Sequence, residues 1–150
     1  MKLRAILTTI FAAFFLLSGA AAVLASGSQE ADDGDAAAGR VAIVFATGGL
    51  GDQSFNDSAF RGIQEAEEEF GISYEYAEPQ AVADYQNFLQ QFAASGQYDL
   101  IISIGFDQAD ALSEVSAEHS EQQFAIIDAV VDAPNVASFV YREKERGFLM

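Results

Sequence analysis

Val41-Ala42-Ile43-Val44-Phe45 is apolar at every position and opens directly onto a loop of glycines and carboxylates, Ala46-Thr47-Gly48-Gly49-Leu50-Gly51-Asp52-Gln53-Ser54-Phe55-Asn56-Asp57-Ser58. A short apolar run without alternation is a strand buried on both faces, the pattern of a parallel sheet covered by helices. Residues 59–70 follow, with Phe60, Ile63 and Phe70 on one helical face and Asn56, Asp57 or Ser58 placed to cap the helix. The unit is a strand–loop–helix turn. In open α/β sheets such loops lie at the carboxyl ends of the strands, where ligands bind.

The same alternation continues along the chain. Ser73-Tyr74-Glu75-Tyr76-Ala77 reads as a second strand near an edge, ended by Glu78-Pro79, and residues 82–95 carry Tyr85, Phe88, Leu89 and Phe92 at helical spacing before Gly96. Leu100-Ile101-Ile102-Ser103-Ile104 is a third strand, closing on Gly105-Phe106-Asp107 and followed by a helix through Leu112 and Val115. Phe124-Ala125-Ile126-Ile127 is a fourth, ending at Asp128. Residues 136–140 are a short fifth strand, and residues 143–150 begin another helix. Strands alternating with helices predict an α/β fold with a doubly wound parallel sheet.

Residues 40–150 are thus one α/β lobe, and two segments of different character precede it. Lys2 and Arg4 stand before an apolar stretch over residues 5–17, and small residues follow it. This is the layout of a secretory signal over residues 1–25, cleaved near Ala25. The alternative is an uncleaved anchor, since residues 5–25 are long enough to cross a hydrocarbon core of about 30 Å. Residues 26–39 are small and acidic, a flexible tether. Their Glu30, Asp32, Asp33 and Asp35 lack the ordered spacing of a calcium loop, so no metal site is expected there.

Charge and composition remove several functions. With 7 basic and 23 acidic residues the chain carries −16, which excludes nucleic acid as a partner, because its binders present a basic face. There is no cysteine, hence no disulfide, thiol nucleophile or cysteine metal site. The glycine loop does not make a dinucleotide fingerprint: Gly49-Leu50-Gly51-Asp52-Gln53 leads to Ser54, where the third glycine would stand. No lysine completes a phosphate loop, and Asp52 and Asp57 oppose phosphate where a helix amino terminus would attract it. No nucleotide cofactor is expected. His119, the single histidine, sits between Glu118 and Glu121 in a polar stretch, and Ser54 has neither a histidine partner nor a G-x-S-x-G elbow. Asp107 and Asp128 could serve acid–base chemistry, but strand-end carboxylates serve equally as acceptors for sugar hydroxyls.

The remaining ligand is neutral, with hydroxyl and amide groups. Gly48 and Gly49 let it approach the main chain; Phe55 and Phe106 follow neighbouring strands and can reach one crevice; Asn56 offers a donor and an acceptor; Asp52, Ser54, Asp107 and Asp128 complete a polar set at the strand ends.

The wording of the first loop, Val-Phe-Ala-Thr-Gly-Gly-Leu-Gly-Asp-Gln-Ser-Phe-Asn-Asp over residues 44–57, resembles the opening motif of the basic membrane protein family. Those proteins are substrate-binding components of ABC importers, and the best-known members are purine nucleoside receptors. The resemblance implies a Rossmann-like lobe of the type I periplasmic-binding-protein fold, about half of a two-lobed receptor whose second lobe is missing here. It also implies that Ser54, Phe55 and Asn56 hold the base, that strand-end acids hold base or ribose, and that ABC permease subunits are partners. The protein is then no enzyme and is located outside the cytoplasm, in the periplasm or on the outer face of the plasma membrane. It would be held there through the transporter or by an uncleaved signal. Two departures stand out: Ala20 occupies the place of the lipid-accepting cysteine after Leu17-Ser18-Gly19, and Ala46 replaces an aspartate common in the family. A sugar-binding or signal-sensing relative is the alternative binding protein; a hydrolase or transferase acting on nucleosides or glycosides through Asp52, Asp107 or Asp128 is the alternative of another class.

Overall fold

The computed structural model describes residues 38–141. The expected signal, most of the tether with its acidic cluster, and the helix expected over 143–150 lie outside the described residues. Five strands, β1 Arg40–Val44, β2 Ser73–Ala77, β3 Leu100–Ile104, β4 Phe124–Ile127 and β5 Val136–Phe139, alternate with three helices, α1 Phe55–Phe70, α2 Tyr85–Ser95 and α3 Ala109–Glu118. Short 3-10 turns, Val82–Asp84 and Phe106–Gln108, lead into α2 and α3. Every strand pair is parallel and the sheet order is β2-β1-β3-β4-β5. The expected doubly wound α/β sheet is present, and β2 lies at its edge.

The sheet is filled from both sides. Ala42, Val44, Ile101 and Ile126 face α2 and α3, packing on Leu89, Leu112 and their neighbours. Val41, Ile43, Phe45 and Ile104 face the other way, toward Ile63 of α1. Beside them Phe60 meets Phe45 edge-on, with ring centroids 6.2 Å apart, and also Tyr74 and Tyr76 of β2. This double burial explains why β1 and β3 read as continuous apolar runs, whereas β2 at the edge exposes Glu75 and Tyr76.

Several boundaries differ from expectation. Ala38 N–H donates to Gly71 O, and Gly39 O accepts from Ser73 N–H, just ahead of β1. The first helix starts at Phe55, not at residue 59, and its capping group is none of Asn56, Asp57 or Ser58. Asp52, two residues ahead of the Ser54 N-cap, accepts the N–H groups of Ser54 at 2.8 Å, Asn56 at 2.9 Å and Asp57 at 3.2 Å. Phe70 is 59% exposed: the buried side of α1 runs through Ile63, and Phe70 lies at the helix end beyond the sheet.

The winding reverses at β1. From β1 the chain steps to β2 on one side, then returns across it to β3 on the other and moves outward through β4 and β5. The loops leaving β1 and β3 therefore flank a crevice at the carboxyl edge, the position where open α/β sheets take their ligands.

Candidate functional site

The glycine loop after β1 is held by side chains rather than by regular structure. Asn56 is 2% exposed; its oxygen accepts Ala46 N–H at 3.0 Å, and its nitrogen donates to Ala46 O at 3.2 Å and Gly49 O at 3.0 Å. Both amide hydrogens are consumed inside the loop. The expectation that Asn56 offers its edge to a ligand is corrected accordingly: it is a brace, because an amide reaching three backbone groups in a buried turn has no donor left. Asp57 spends one oxygen on Gly51 N–H and the other on Gln53 N–H, at 2.7 and 2.9 Å. Glu78, just past β2, accepts Leu50 N–H at 2.8 Å.

Asp52 is likewise turned to the amides of α1. The N–H groups of Asn56 and Ser54 hold its carboxyl below the ordinary value of 3.8, so it stays ionised over the first turn. The donors that would otherwise attract an anion there already have one.

Two elements bring the β1 and β3 loops together. Gln108, fully buried at the start of α3, donates its amide to Val44 O at 2.9 Å, Phe45 O at 3.3 Å and Ile104 O at 2.8 Å, fastening the two strand ends side by side. Tyr85, fully buried at the start of α2, accepts Thr47 N–H at 2.8 Å and donates its hydroxyl to Asp107 Oδ2 at 2.8 Å. Burial, with the bond to Asp107 adding to it, pushes the phenol above its ordinary 10.0.

The point where these loops converge is Gly105. It has φ 112°, a conformation that side-chain-bearing residues rarely adopt. A Cβ placed on it would lie 3.1 Å from Asp107 Oδ1, 3.3 Å from Ala46 Cβ and 4.0 Å from Phe55 Cε1. One carboxylate oxygen, one methyl group and one aromatic edge therefore close on Gly105 so tightly that even a Cβ there would crowd them. Among the described residues no protein donor reaches Asp107 Oδ1. Gly105 N–H donates to Ile127 O at 3.0 Å, which places Asp128 on the next strand end beside it. Asp128 is half-buried with φ 71°, and no donor among the described residues engages its carboxylate.

The structure thus gathers Phe55 and Asp107 around Gly105, sets Asp128 on the adjoining strand end, and leaves Gly48 and Ser54 exposed on the loop. Phe106 is 71% exposed at the head of the turn after β3. Asp52, Gly49 and Asn56 shape the loop from within. His119 stands at the carboxyl end of α3, at the far edge of the sheet, where its carbonyl accepts from Asn135. An apolar groove of about 370 Å³ runs between α1 and the sheet, lined by Phe55, Ala59, Gly62, Ile102, Ile127 and Tyr141 among others. It shares Phe55 with the strand-end site and offers few polar groups.

Sequence reading missed Tyr85, Glu78, Gln108 and Gly105 as site-building residues. The first was legible only as part of an apolar helical stripe, and most partners of the first three lie well away in sequence.

Residues 40–150 match the model of a family described as ABC transporter substrate-binding protein, PnrA-like. An uncharacterized lipoprotein of Pyrococcus horikoshii is 36% identical over 137 residues, covering 90% of this chain and 34% of that protein. The ABC transporter nucleoside-binding protein BmpA of Lactococcus lactis is 32% identical over 115 residues, 73% of this chain and 32% of that one. A crystal structure of an ABC transporter solute-binding protein from Aeropyrum pernix superposes with a TM-score of 0.67 at 40% identity, over 71% of this chain and 29% of that one. The chain spans about a third of the length of each of these relatives.

Proposed function

The chain belongs to the family of PnrA-like ABC transporter substrate-binding proteins, and from that premise we propose that it supplies one wall of an extracytoplasmic receptor for nucleosides. The observation that carries the reading is the gathering at Gly105, on the strand ends, of an aromatic edge from Phe55 and an Asp107 oxygen that no donor among the described residues reaches. A flat, neutral molecule bearing hydroxyl or amino donors fits that pair: the aromatic ring gives it apolar contact and the carboxylate accepts. Asp52, ionised over the first turn of α1, disfavours a phosphorylated ligand. The nucleoside-binding name of the Lactococcus relative agrees with this ligand class.

The mechanism is capture rather than catalysis. A ligand seats on the strand ends, a second lobe from the remainder of the receptor closes over it, and the closed form docks on the permease subunits of an ABC importer. The protein is exported and held at the outer face of the membrane through the transporter or through residues 1–25. Lipid attachment is not the route, since the chain has no cysteine, although the Pyrococcus relative is named a lipoprotein. Calorimetric titration of the full-length receptor with inosine, adenosine and ribose, with chromatography of the recovered ligand, tests the reading. Saturable heat with inosine returned intact is expected. Turnover of the ligand, or ribose binding as tightly as inosine, overturns it.

A further inference from the structure

We propose that Tyr85 is a positioning residue of the ligand crevice, a clasp that ties the loop after β1 to the turn after β3 and fixes which oxygen of Asp107 is offered to the ligand. The inference rests on the nucleoside-receptor reading and deepens it. Tyr85 belongs to neither loop: it opens α2, on the sheet face opposite α1, and its ring is fully buried among Val44, Leu89 and their neighbours. Only its hydroxyl emerges at the carboxyl edge, where it makes two bonds of 2.8 Å, one with Thr47 N–H and one with Asp107 Oδ2.

The chemistry of the two partners sets the direction of both bonds. A backbone amide can only donate, and an ionised carboxylate can only accept. The hydroxyl hydrogen therefore points to Asp107 while the hydroxyl oxygen receives Thr47. No other side chain of this size and burial does both, and phenylalanine does neither. With Oδ2 held by Tyr85, Asp107 Oδ1 stands over Gly105 beside Ala46 and the edge of Phe55. Tyr85 thus sets the spacing between the stacking ring and the accepting oxygen, the two features a ring with a donor substituent must match at once. The residue touches no ligand; it acts through Asp107 and Thr47.

The test is a double-mutant cycle on the full-length receptor with inosine as probe, comparing Tyr85→Phe, Asp107→Ala and the pair. Tyr85→Phe is expected to raise the inosine Kd about tenfold, and to have an effect of about twofold or less in the Asp107→Ala background, because the route it acts through is gone. Additive effects on Kd mean that Tyr85 contributes packing alone and overturn the proposal. Amide exchange at Thr47 gives a readout independent of ligand identity. Loss of protection there in Tyr85→Phe, with neighbouring amides of β1 unchanged, supports the clasp; unchanged protection at Thr47 overturns it. A wild-type receptor indifferent to inosine removes the nucleoside reading, and the exchange result then decides the clasp by itself.

Discussion

Glu78 accepts the backbone N–H of Leu50 at 2.8 Å, and the same oxygen lies 2.6 Å from where a Cβ on Gly49 would stand. The carboxylate of one strand end thus packs into the place left by the missing side chain in the neighbouring loop. Gly49 also has φ 64°. Gly49→Ala should therefore destabilise the full-length protein by about 1–2 kcal/mol from the left-handed backbone alone, with the displaced Glu78 bond adding to it. Glu78→Gln, which keeps an accepting oxygen, should cost much less. Urea unfolding of both variants checks this, and equal costs would show that the carboxylate is not what fills the space.

Asn56 and Phe55 are neighbours in sequence with opposite expected phenotypes. Asn56→Ala strips three bonds from a buried turn and should lower stability by about 1–3 kcal/mol, through unpaired backbone groups at Ala46 and Gly49. Phe55→Ala, at a half-buried ring edge beside Gly105, should instead weaken inosine binding by about 1–3 kcal/mol, the range for base–aromatic stacking. Melting curves and titrations on the same pair of variants separate the two roles. A reversed pattern, with Asn56→Ala stable and binding-defective, would return the amide to the ligand.

Gly105→Ala places a methyl group 3.1 Å from Asp107 Oδ1 and 3.3 Å from Ala46 Cβ, tight enough that these neighbours must shift. Binding of inosine should fall at least tenfold, by displacement of the accepting oxygen. A melting temperature lowered with affinity intact would place the ligand elsewhere.

The sheet was legible because each strand carries its burial in its own few residues. Val41 to Phe45 are apolar at every position since both faces are covered, and Tyr76 of the edge strand is exposed. Gly96, in the left-handed conformation with φ 61°, stops α2 where its position in the sequence indicated. The start of α1 was not legible in the same way: Asp52 caps from outside the helix through three amides, and a cap search centred on residues 56–58 passes over it. The site was legible only in part. Phe55 and Asp107 stand out as polar-loop residues at strand ends, but the bond that sets one of them comes from Tyr85, 22 residues away, whose helical spacing declares only its ring. Periodicity reports which face a side chain takes and says nothing about where a hydroxyl at its tip arrives.

Acid should unfold the protein partly through Asp52. Its folded-state carboxyl lies below the ordinary 3.8, held there by the Asn56 and Ser54 amides. Above pH 3.8 the carboxylate is ionised in both states and its contribution is fully present. As pH falls below 3.8 the unfolded chain takes up the proton first, and the contribution is lost on the way down to the folded value. Asp52→Asn removes that titration, so its urea midpoint should change less between pH 5 and pH 2 than the wild-type midpoint. Parallel profiles for the two proteins would show that the α1 amides do not hold the charge.

The same charge makes a prediction about ligands. A phosphorylated nucleoside bound over the strand ends would bring its anion toward the first turn of α1, where the amides of Ser54, Asn56 and Asp57 already serve Asp52. Like charges brought near one another there repel, and solvent screens part of that repulsion. The full-length receptor should therefore bind inosine more tightly than inosine monophosphate. Asp52→Asn keeps an oxygen for the helix amides while removing the charge, and should narrow that preference by affecting the monophosphate alone. Raising the salt from 0.15 to 1 M shortens the screening length from about 8 to about 3 Å and should narrow the preference in the wild type without the mutation. Titration of both ligands at both salt concentrations reads the effect directly. Tighter binding of the monophosphate by the wild type, or a preference untouched by both Asp52→Asn and salt, would mean that the helix amino terminus plays no part in selecting the ligand.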